Sequence, residues 1–259
     1  MTTCTNCAKE FEGNYCPECG QKASTKRFST KILFSELIDK LIPLDRGVLY
    51  TAKHLLTRPG PMVREYLDGK RAQFTKPIQF LLIMVAITMI FFSQEDFKQG
   101  IQAGYVDGNQ SEASSVFSQK LSNWIADNIT ALTIGIIPFM ALFANWFYNK
   151  RGVNYAEHFV ITSFLIGGST LAGMPFMLAL KLMGQNAYSP HISALFGLVY
   201  VVYCIWGYVG FFKEQKAWNT GLKALMIILL GYLLYLLVAM MLGAIGVLIY
   251  IKLFEGRMQ

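Results

Sequence analysis

Long apolar runs separated by short polar segments make up the chain from residue 77 onward. A helix needs about 20 apolar residues to cross the hydrocarbon core of a bilayer. The first run is slightly short for this, and the last is long enough to tilt. The pattern predicts an all-α polytopic membrane protein, with a bundle over residues 77–252. Its five transmembrane helices are expected at about 77–93, 129–148, 159–180, 192–212 and 224–251.

The segment before the first run has the pattern of shorter, amphipathic helices. Residues 31–44 repeat apolar positions at helical spacing, with charged residues between them. A second short helix is expected from Asp45 to His54, and a third from Pro61, since proline is well placed in the first turn of a helix. We therefore expect residues 31–76 to form interfacial helices on the membrane surface. For residues 31–44, packing on the bundle is an equally good interpretation.

The charge distribution predicts the orientation of the chain. The net charge is +7, and 18 of the 23 Lys and Arg residues lie in 1–76 or in the loops at 149–158 and 213–223. These segments share one side of the predicted bundle, and cytoplasmic segments carry the excess of Lys and Arg. We expect the N-terminus in the cytoplasm and the C-terminus outside. The charge then reports topology, and nucleic-acid binding is not expected. The first residues do not resemble a signal peptide, so the first span is expected to direct insertion.

Four cysteines near the start are arranged as two C-x₂-C pairs: Cys4, Cys7, Cys16 and Cys19. Paired thiolates at this spacing are typical of tetrahedral Zn²⁺ sites. The pattern predicts a zinc ribbon over residues 1–22, joined to the rest by a polar linker at 23–30. Rubredoxin-type iron, an iron–sulfur cluster and a redox dithiol are the alternatives. A reducing cytoplasm would keep the thiols available to metal. The fifth cysteine, Cys204, lies in an apolar run and is expected to be buried.

Basic residues cluster immediately before the first apolar run. Such clusters attract anionic lipid headgroups when they lie on the cytoplasmic side of a membrane helix. Gly69 beside two of them would also let backbone N–H groups approach a phosphate. A candidate headgroup site therefore comprises Arg58, Arg64, Lys70, Arg71 and Lys76. The alternative, which we favour at this point, is that these residues only set the topology and anchor the chain.

A second candidate site lies at the cytoplasmic mouth of the bundle. Glu157 and His158 precede the third run, and Asn145 lies near the end of the second. A short loop joins these runs, so the three groups are candidates for a proton or metal relay, with a polar contact between helices as the plainer alternative. The centres of the apolar runs contain no Asp, Glu, Lys, Arg or His. We find no catalytic constellation and do not expect an enzyme.

The chain resembles an uncharacterised bacterial family of integral membrane proteins, known as a domain of unknown function, whose members carry an N-terminal zinc ribbon. The resemblance rests on CTNC at 4–7, YCPECGQK at 15–22, TRPG at 57–60, Tyr66, GKR at 69–71, KP at 76–77 and NYAEH at 154–158. It implies a bacterial inner membrane and a cytoplasmic ribbon, and it implies no catalytic residue.

These observations favour a non-enzymatic membrane adaptor or scaffold. In that hypothesis the zinc ribbon docks a protein partner, and the bundle holds it at the lipid bilayer. The alternative is a transporter or channel for a small or lipidic substrate, which would need a polar cavity. Its candidate lining residues are Asn145, His158, Ser169 and Thr170.

Overall fold

The computed structural model describes residues 2–23, 47–91, 120, 123–148, 152–184 and 190–255. The predicted helix at 31–44 and residues 24–30 of the predicted linker lie outside the described residues. Two short strands, β1 (Thr2–Thr3) and β2 (Glu10–Phe11), form an antiparallel pair in which Thr2 faces Phe11. The helices that follow are α1 (Gly47–Thr57), α2 (Pro59–Leu67), α3 (Pro77–Phe91), α4 (Ile129–Gly135), α5 (Ile137–Tyr148), α6 (Tyr155–Leu182), α7 (Pro190–Phe211) and α8 (Ala217–Glu255).

Four helical segments of the described chain are long and apolar enough to cross a membrane, which is the character of a multi-pass membrane protein. They are Ile129–Tyr148, Tyr155–Leu182, Ala194–Phe211 and Ala217–Met241. The first of these combines α4 and α5. Pro138 is the second residue of α5, where its missing N–H is tolerated because that donor would have no partner within the helix.

The fifth predicted span corresponds to α3, which is apolar but has only 15 residues. At 1.5 Å per residue it is about 22 Å long, less than the hydrocarbon core of about 30 Å. A Cβ on Gly167 of α6 would lie 2.9 Å from the Phe80 ring, near the start of α3. Near the other end of α3, the Met89 sulfur lies 3.9 Å from the Thr130 hydroxyl of α4. Helix α3 therefore packs on α6 and ends beside the start of α4.

Helices α1 and α2 form a hairpin that packs against α6 and α7. The hairpin's inner face is buried through Leu55, Met62, Val63 and Tyr66. Tyr66 contacts Phe164 of α6, with ring centroids 5.0 Å apart. These two helices thus contribute to the main hydrophobic core of the described residues.

Glycine allows α2 to approach α7 backbone to backbone. A Cβ on Gly60 would lie 2.3 Å from the carbonyl carbon of Gly210 and 2.6 Å from the carbonyl oxygen of Gly207. No larger residue fits at position 60 without moving one of the helices.

Side chains also bond terminal carbonyls between the hairpin and α7. The Tyr203 hydroxyl of α7 donates to the Leu55 carbonyl near the end of α1, at 2.9 Å. The Arg64 guanidinium of α2 donates to the Phe211 carbonyl, which ends α7. The last carbonyls of a helix have no partner within it, so these two bonds fix where the hairpin sits against α7.

Candidate metal centre and polar groups of the bundle

The four predicted ligands meet at the N-terminal end of the chain. The sulfur atoms of Cys4, Cys7, Cys16 and Cys19 all lie within 4.8 Å of one another. Cys4 Sγ is 3.5 Å from Cys19 Sγ, and Cys7 Sγ is 3.6 Å from Cys16 Sγ. A tetrahedron of sulfurs about 2.3 Å from a metal ion has edges of about 3.8 Å, so this arrangement fits one ion.

The two C-x₂-C pairs have the same backbone geometry. The N–H of the first cysteine bonds the carbonyl of the residue five positions later, at 2.9 Å from Cys4 to Lys9 and 2.8 Å from Cys16 to Gln21. The residue after each second cysteine has a left-handed conformation, with φ of 62° at Ala8 and 72° at Gly20. Glycine adopts this conformation at little cost, whereas alanine rarely adopts positive φ.

Backbone N–H groups aim at the sulfurs and favour the thiolate form. The N–H of Cys7 lowers the pKa of the Cys4 thiol to about 7, and the N–H of Cys19 lowers the pKa of the Cys16 thiol. The N–H of Lys9 also lowers the pKa of the Cys7 thiol. Desolvation and the three neighbouring sulfurs outweigh that effect and raise this pKa to about 12. A cation at the centre would relieve the repulsion among the sulfurs, as metal sites require.

A small apolar cluster supports the site. Cys4, Phe11 and Cys16 are buried together, with Cys19 and Ala23 packed against them. Phe11 is 7% exposed within this cluster. Tyr15, on the same segment between the two cysteine pairs, is 61% exposed.

A contact that the sequence did not predict joins this ribbon to the rest of the chain. The Gln21 side chain is 4% exposed, and its Oε1 accepts the backbone N–H groups of Arg71 at 3.2 Å and Ala72 at 2.8 Å. Gln21 lies two residues after Cys19, and Arg71 lies in the loop between α2 and α3. The expected linker is therefore supplemented by a direct hydrogen-bonded contact.

The predicted headgroup residues do not form one free basic cluster. Arg58 pairs with Glu65 through bonds of 2.7 Å and 3.5 Å. Arg64 caps α7, with its guanidinium 5.3 Å from the centre of the Phe211 ring. Arg71 donates to the Tyr66 carbonyl at 3.1 Å. Lys70 and Lys76 are exposed, so these two remain directed to the surroundings.

The residues of the predicted relay have separate local roles. Glu157 forms a capping box with Asn154, through a 2.8 Å bond from the Asn154 N–H and a 2.9 Å bond from its own N–H. This explains why α6 begins at Tyr155, four residues before the predicted span. The N-x-x-E spacing at 154–157 is a readable signal for it. Asn145 is half-buried on α5, three residues before Tyr148.

His158 is fully buried among aromatic rings. Its ring centroid lies 6.0 Å from that of Tyr148 and 6.4 Å from that of Phe212, and Tyr148 stacks on Phe212 at 4.0 Å. Neither ring nitrogen of His158 has a hydrogen-bond partner among the described residues. A buried imidazole without partners is costly, so this position is the least satisfied polar group on α6.

The proposed cavity residues on α6 are not brought next to His158. Ser169 and Thr170 are 11 and 12 positions further along the helix, about 17 Å and 18 Å at 1.5 Å per residue. Both hydroxyls donate to the Ile166 carbonyl, at 2.8 Å and 2.9 Å, within their own helix. Cys204 is buried in the core, as the sequence predicted.

Comparison with known proteins adds one finding. A family model described as "Protein of unknown function (DUF3667)" matches residues 45–89. The matched segment comprises α1, α2, the loop that Gln21 contacts, and most of α3. It excludes the four cysteines and the candidate spans from Ile129 onward. No curated protein and no solved structure matches the chain.

Proposed function

We propose that this protein is a non-enzymatic membrane adaptor with a zinc-bound docking head on the cytoplasmic side of a bacterial inner membrane. The observation that carries the proposal is the placement of the ribbon. Gln21 holds it against the loop before α3, while the Tyr15 side chain remains 61% exposed. A fixed head with an exposed aromatic side chain suits protein recognition, in which tyrosine is a frequent anchor.

Zinc is the metal that we propose. The donor set is four sulfurs, and their spacing fits tetrahedral coordination. Four thiolates leave no open position for a water or substrate, so zinc here would organise the ribbon and not perform catalysis. A cytoplasmic position for the ribbon agrees with the Lys and Arg distribution and with the need for reduced thiols.

The polar groups of the bundle support the adaptor more than the transporter. Glu157 forms the α6 capping box, and Ser169 and Thr170 bond their own helix. The observation that favours the alternative is the buried His158 ring, whose nitrogens could serve a substrate or proton. Anionic lipid headgroups are proposed as a second class of partner, through Lys70 and Lys76 alone.

The adaptor hypothesis is tested by site-specific photo-crosslinking in cells. A photoreactive residue replaces Tyr15 in the full chain, and the same residue replaces Leu49, which is 80% exposed on α1, as the matched control. A cytoplasmic protein should crosslink at position 15 and not at position 49. The crosslink should disappear when Cys16 and Cys19 are both replaced by Ser. Crosslinks to lipid alone at both positions would contradict the adaptor and leave the transporter as the better hypothesis.

A further inference from the structure

Gln21 connects the ribbon to the membrane part of the chain through one oxygen atom. Its Oε1 accepts two neighbouring N–H groups, from Arg71 and Ala72, in a loop fifty positions away in the sequence. With only 4% of Gln21 exposed, water has little access to these bonds. Breaking them without a replacement acceptor would leave two backbone donors unsatisfied.

The same residue closes the second C-x₂-C pair. The Gln21 carbonyl accepts the N–H of Cys16 at 2.8 Å, and the Gly20 N–H donates to the Cys16 carbonyl at 2.9 Å. The backbone position of Gln21 is therefore set by the turn that presents Cys16 and Cys19 to the metal. A ribbon of this size has too small a core to hold that turn without metal.

The first C-x₂-C pair provides an internal comparison. Lys9 occupies the position equivalent to Gln21, since its carbonyl accepts the N–H of Cys4 at 2.9 Å. The Lys9 side chain, however, pairs with Glu18 at 2.5 Å, within the ribbon. The equivalent side chain reaches the membrane part of the chain only in the second pair.

The loop contacted by Gln21 is held from its other end by α1. The Thr75 N–H donates to the Thr51 hydroxyl at 2.9 Å, and Phe74 packs against Tyr50 with ring centroids 5.2 Å apart. These contacts do not involve the ribbon. Arg71 is also held by the hairpin, through its side-chain bond to the Tyr66 carbonyl. The backbone N–H groups of residues 71 and 72 nevertheless have Gln21 as their acceptor, whereas the N–H of residue 75 has Thr51.

We infer that metal occupancy of the ribbon controls its docking on the loop at 70–73, with Gln21 as the connecting residue. With metal bound, the turn after Cys19 holds the Gln21 amide against Arg71 and Ala72. Without metal the turn opens, Gln21 withdraws, and the N–H groups of residues 71 and 72 lose their acceptor. The ribbon is then a metal-dependent clamp on the entry to α3. This inference rests on the metal site of the proposed function.

Amide hydrogen exchange on the full chain in lipid nanodiscs tests the clamp. The protein is measured after zinc loading and again after removal of zinc with EDTA. Exchange at Arg71 and Ala72 should accelerate at least about tenfold on metal removal, because their acceptor leaves. Exchange at Thr75, which is held by Thr51, should change little. The Thr75 amide is therefore an internal reference for general unfolding.

Two substitutions separate the clamp from the metal site. Gln21→Ala should still bind about one zinc per chain, but Arg71 and Ala72 should exchange fast with and without EDTA. Lys9→Ala, at the equivalent position of the other pair, should behave as the unaltered protein. If zinc binds and its removal leaves exchange at residues 71 and 72 unchanged, the clamp is refuted and the adaptor proposal stands. If no zinc binds to the unaltered chain, both are refuted.

Discussion

Gly60 of α2 rests on Gly210 of α7 so closely that a Cβ at position 60 would lie 2.3 Å from the Gly210 carbonyl carbon. Gly60 lies inside the segment that matches the family model, and Gly210 lies outside it. This contact places the TRPG motif of residues 57–60 at the packing interface between the hairpin and the bundle. Helix packing accounts for the glycine of this motif.

Substitution of Gly60 should separate α2 from α7. We expect Gly60→Ala to lower the free energy of unfolding by about 3 kcal/mol or more, at the upper end of the range for overpacked cores, since the obstructing atoms belong to backbone. Gly197→Ala on α7, where a Cβ meets nothing within 4 Å, is the matched control. Thermal unfolding in detergent should show a lower Tm for the first variant only. Equal Tm values would contradict the close contact.

The two left-handed residues of the ribbon predict opposite effects on metal affinity. Ala8→Gly should tighten zinc binding and Gly20→Ala should weaken it, because an alanine with positive φ costs about 1 kcal/mol relative to glycine. Neither change introduces a clash, as a Cβ at position 20 meets nothing within 4 Å. Competition with a chromogenic chelator should show shifts of about fivefold in opposite directions. Shifts in the same direction would mean that backbone conformation does not govern the affinity.

Removing two ligands should abolish metal binding. Cys16→Ser and Cys19→Ser together leave two thiolates, too few for a tetrahedral sulfur site. Elemental analysis of the purified chain should find about one zinc per molecule, and none in the double variant. Cys204→Ser, at a buried cysteine outside the ribbon, should retain the zinc. Iron in place of zinc, or zinc retained by the double variant, would refute the assignment.

The number of membrane crossings decides the position of the C-terminus. Five crossings place it outside, whereas four, without α3, place it with the N-terminus. We expect α3 to complete a fifth crossing together with the hairpin beside it. A C-terminal alkaline phosphatase fusion should then be active, and a fusion at Gly152 inactive. Activity only at Gly152 would contradict this topology. With the N-terminus inside it would mean that α3 does not cross, and with the N-terminus outside it would mean that the orientation is reversed.

A substitution of His158 tests whether this residue has a structural role or a role in transport. His158→Phe keeps a planar ring beside Tyr148 and Phe212 and removes two buried nitrogens that have no hydrogen-bond partner in the described part of the chain. The free energy of unfolding should not fall and should rise by up to about 1–3 kcal/mol, because the nitrogens that are removed are buried and unsatisfied. If the variant replaces the unaltered chain in cells that lack it, the adaptor is supported. If the variant fails to replace the unaltered chain although its Tm is not lowered, the transporter is supported instead.

The cluster of four cysteines was largely predictable because its determinants are local. Two C-x₂-C pairs eight residues apart specify a compact turn around one point, and the structure brings the four sulfurs within 4.8 Å. The apolar runs were also informative, since a bilayer imposes a minimum length on each crossing helix. They predicted the four candidate spans, although α6 begins earlier because of its capping box.

Only the tertiary structure decided which distant groups meet. The basic residues before α3 formed one cluster in the sequence, yet Arg58, Arg64 and Arg71 are engaged in different contacts. Likewise, nothing local to Gln21 indicates that its amide oxygen binds Arg71 and Ala72. Hydrophobic periodicity and ligand spacing are local patterns that can be seen in the sequence. The partner of a polar side chain depends on the packing of the whole fold. It is therefore known only once the positions of α1 and α2 against α6 and α7 are known.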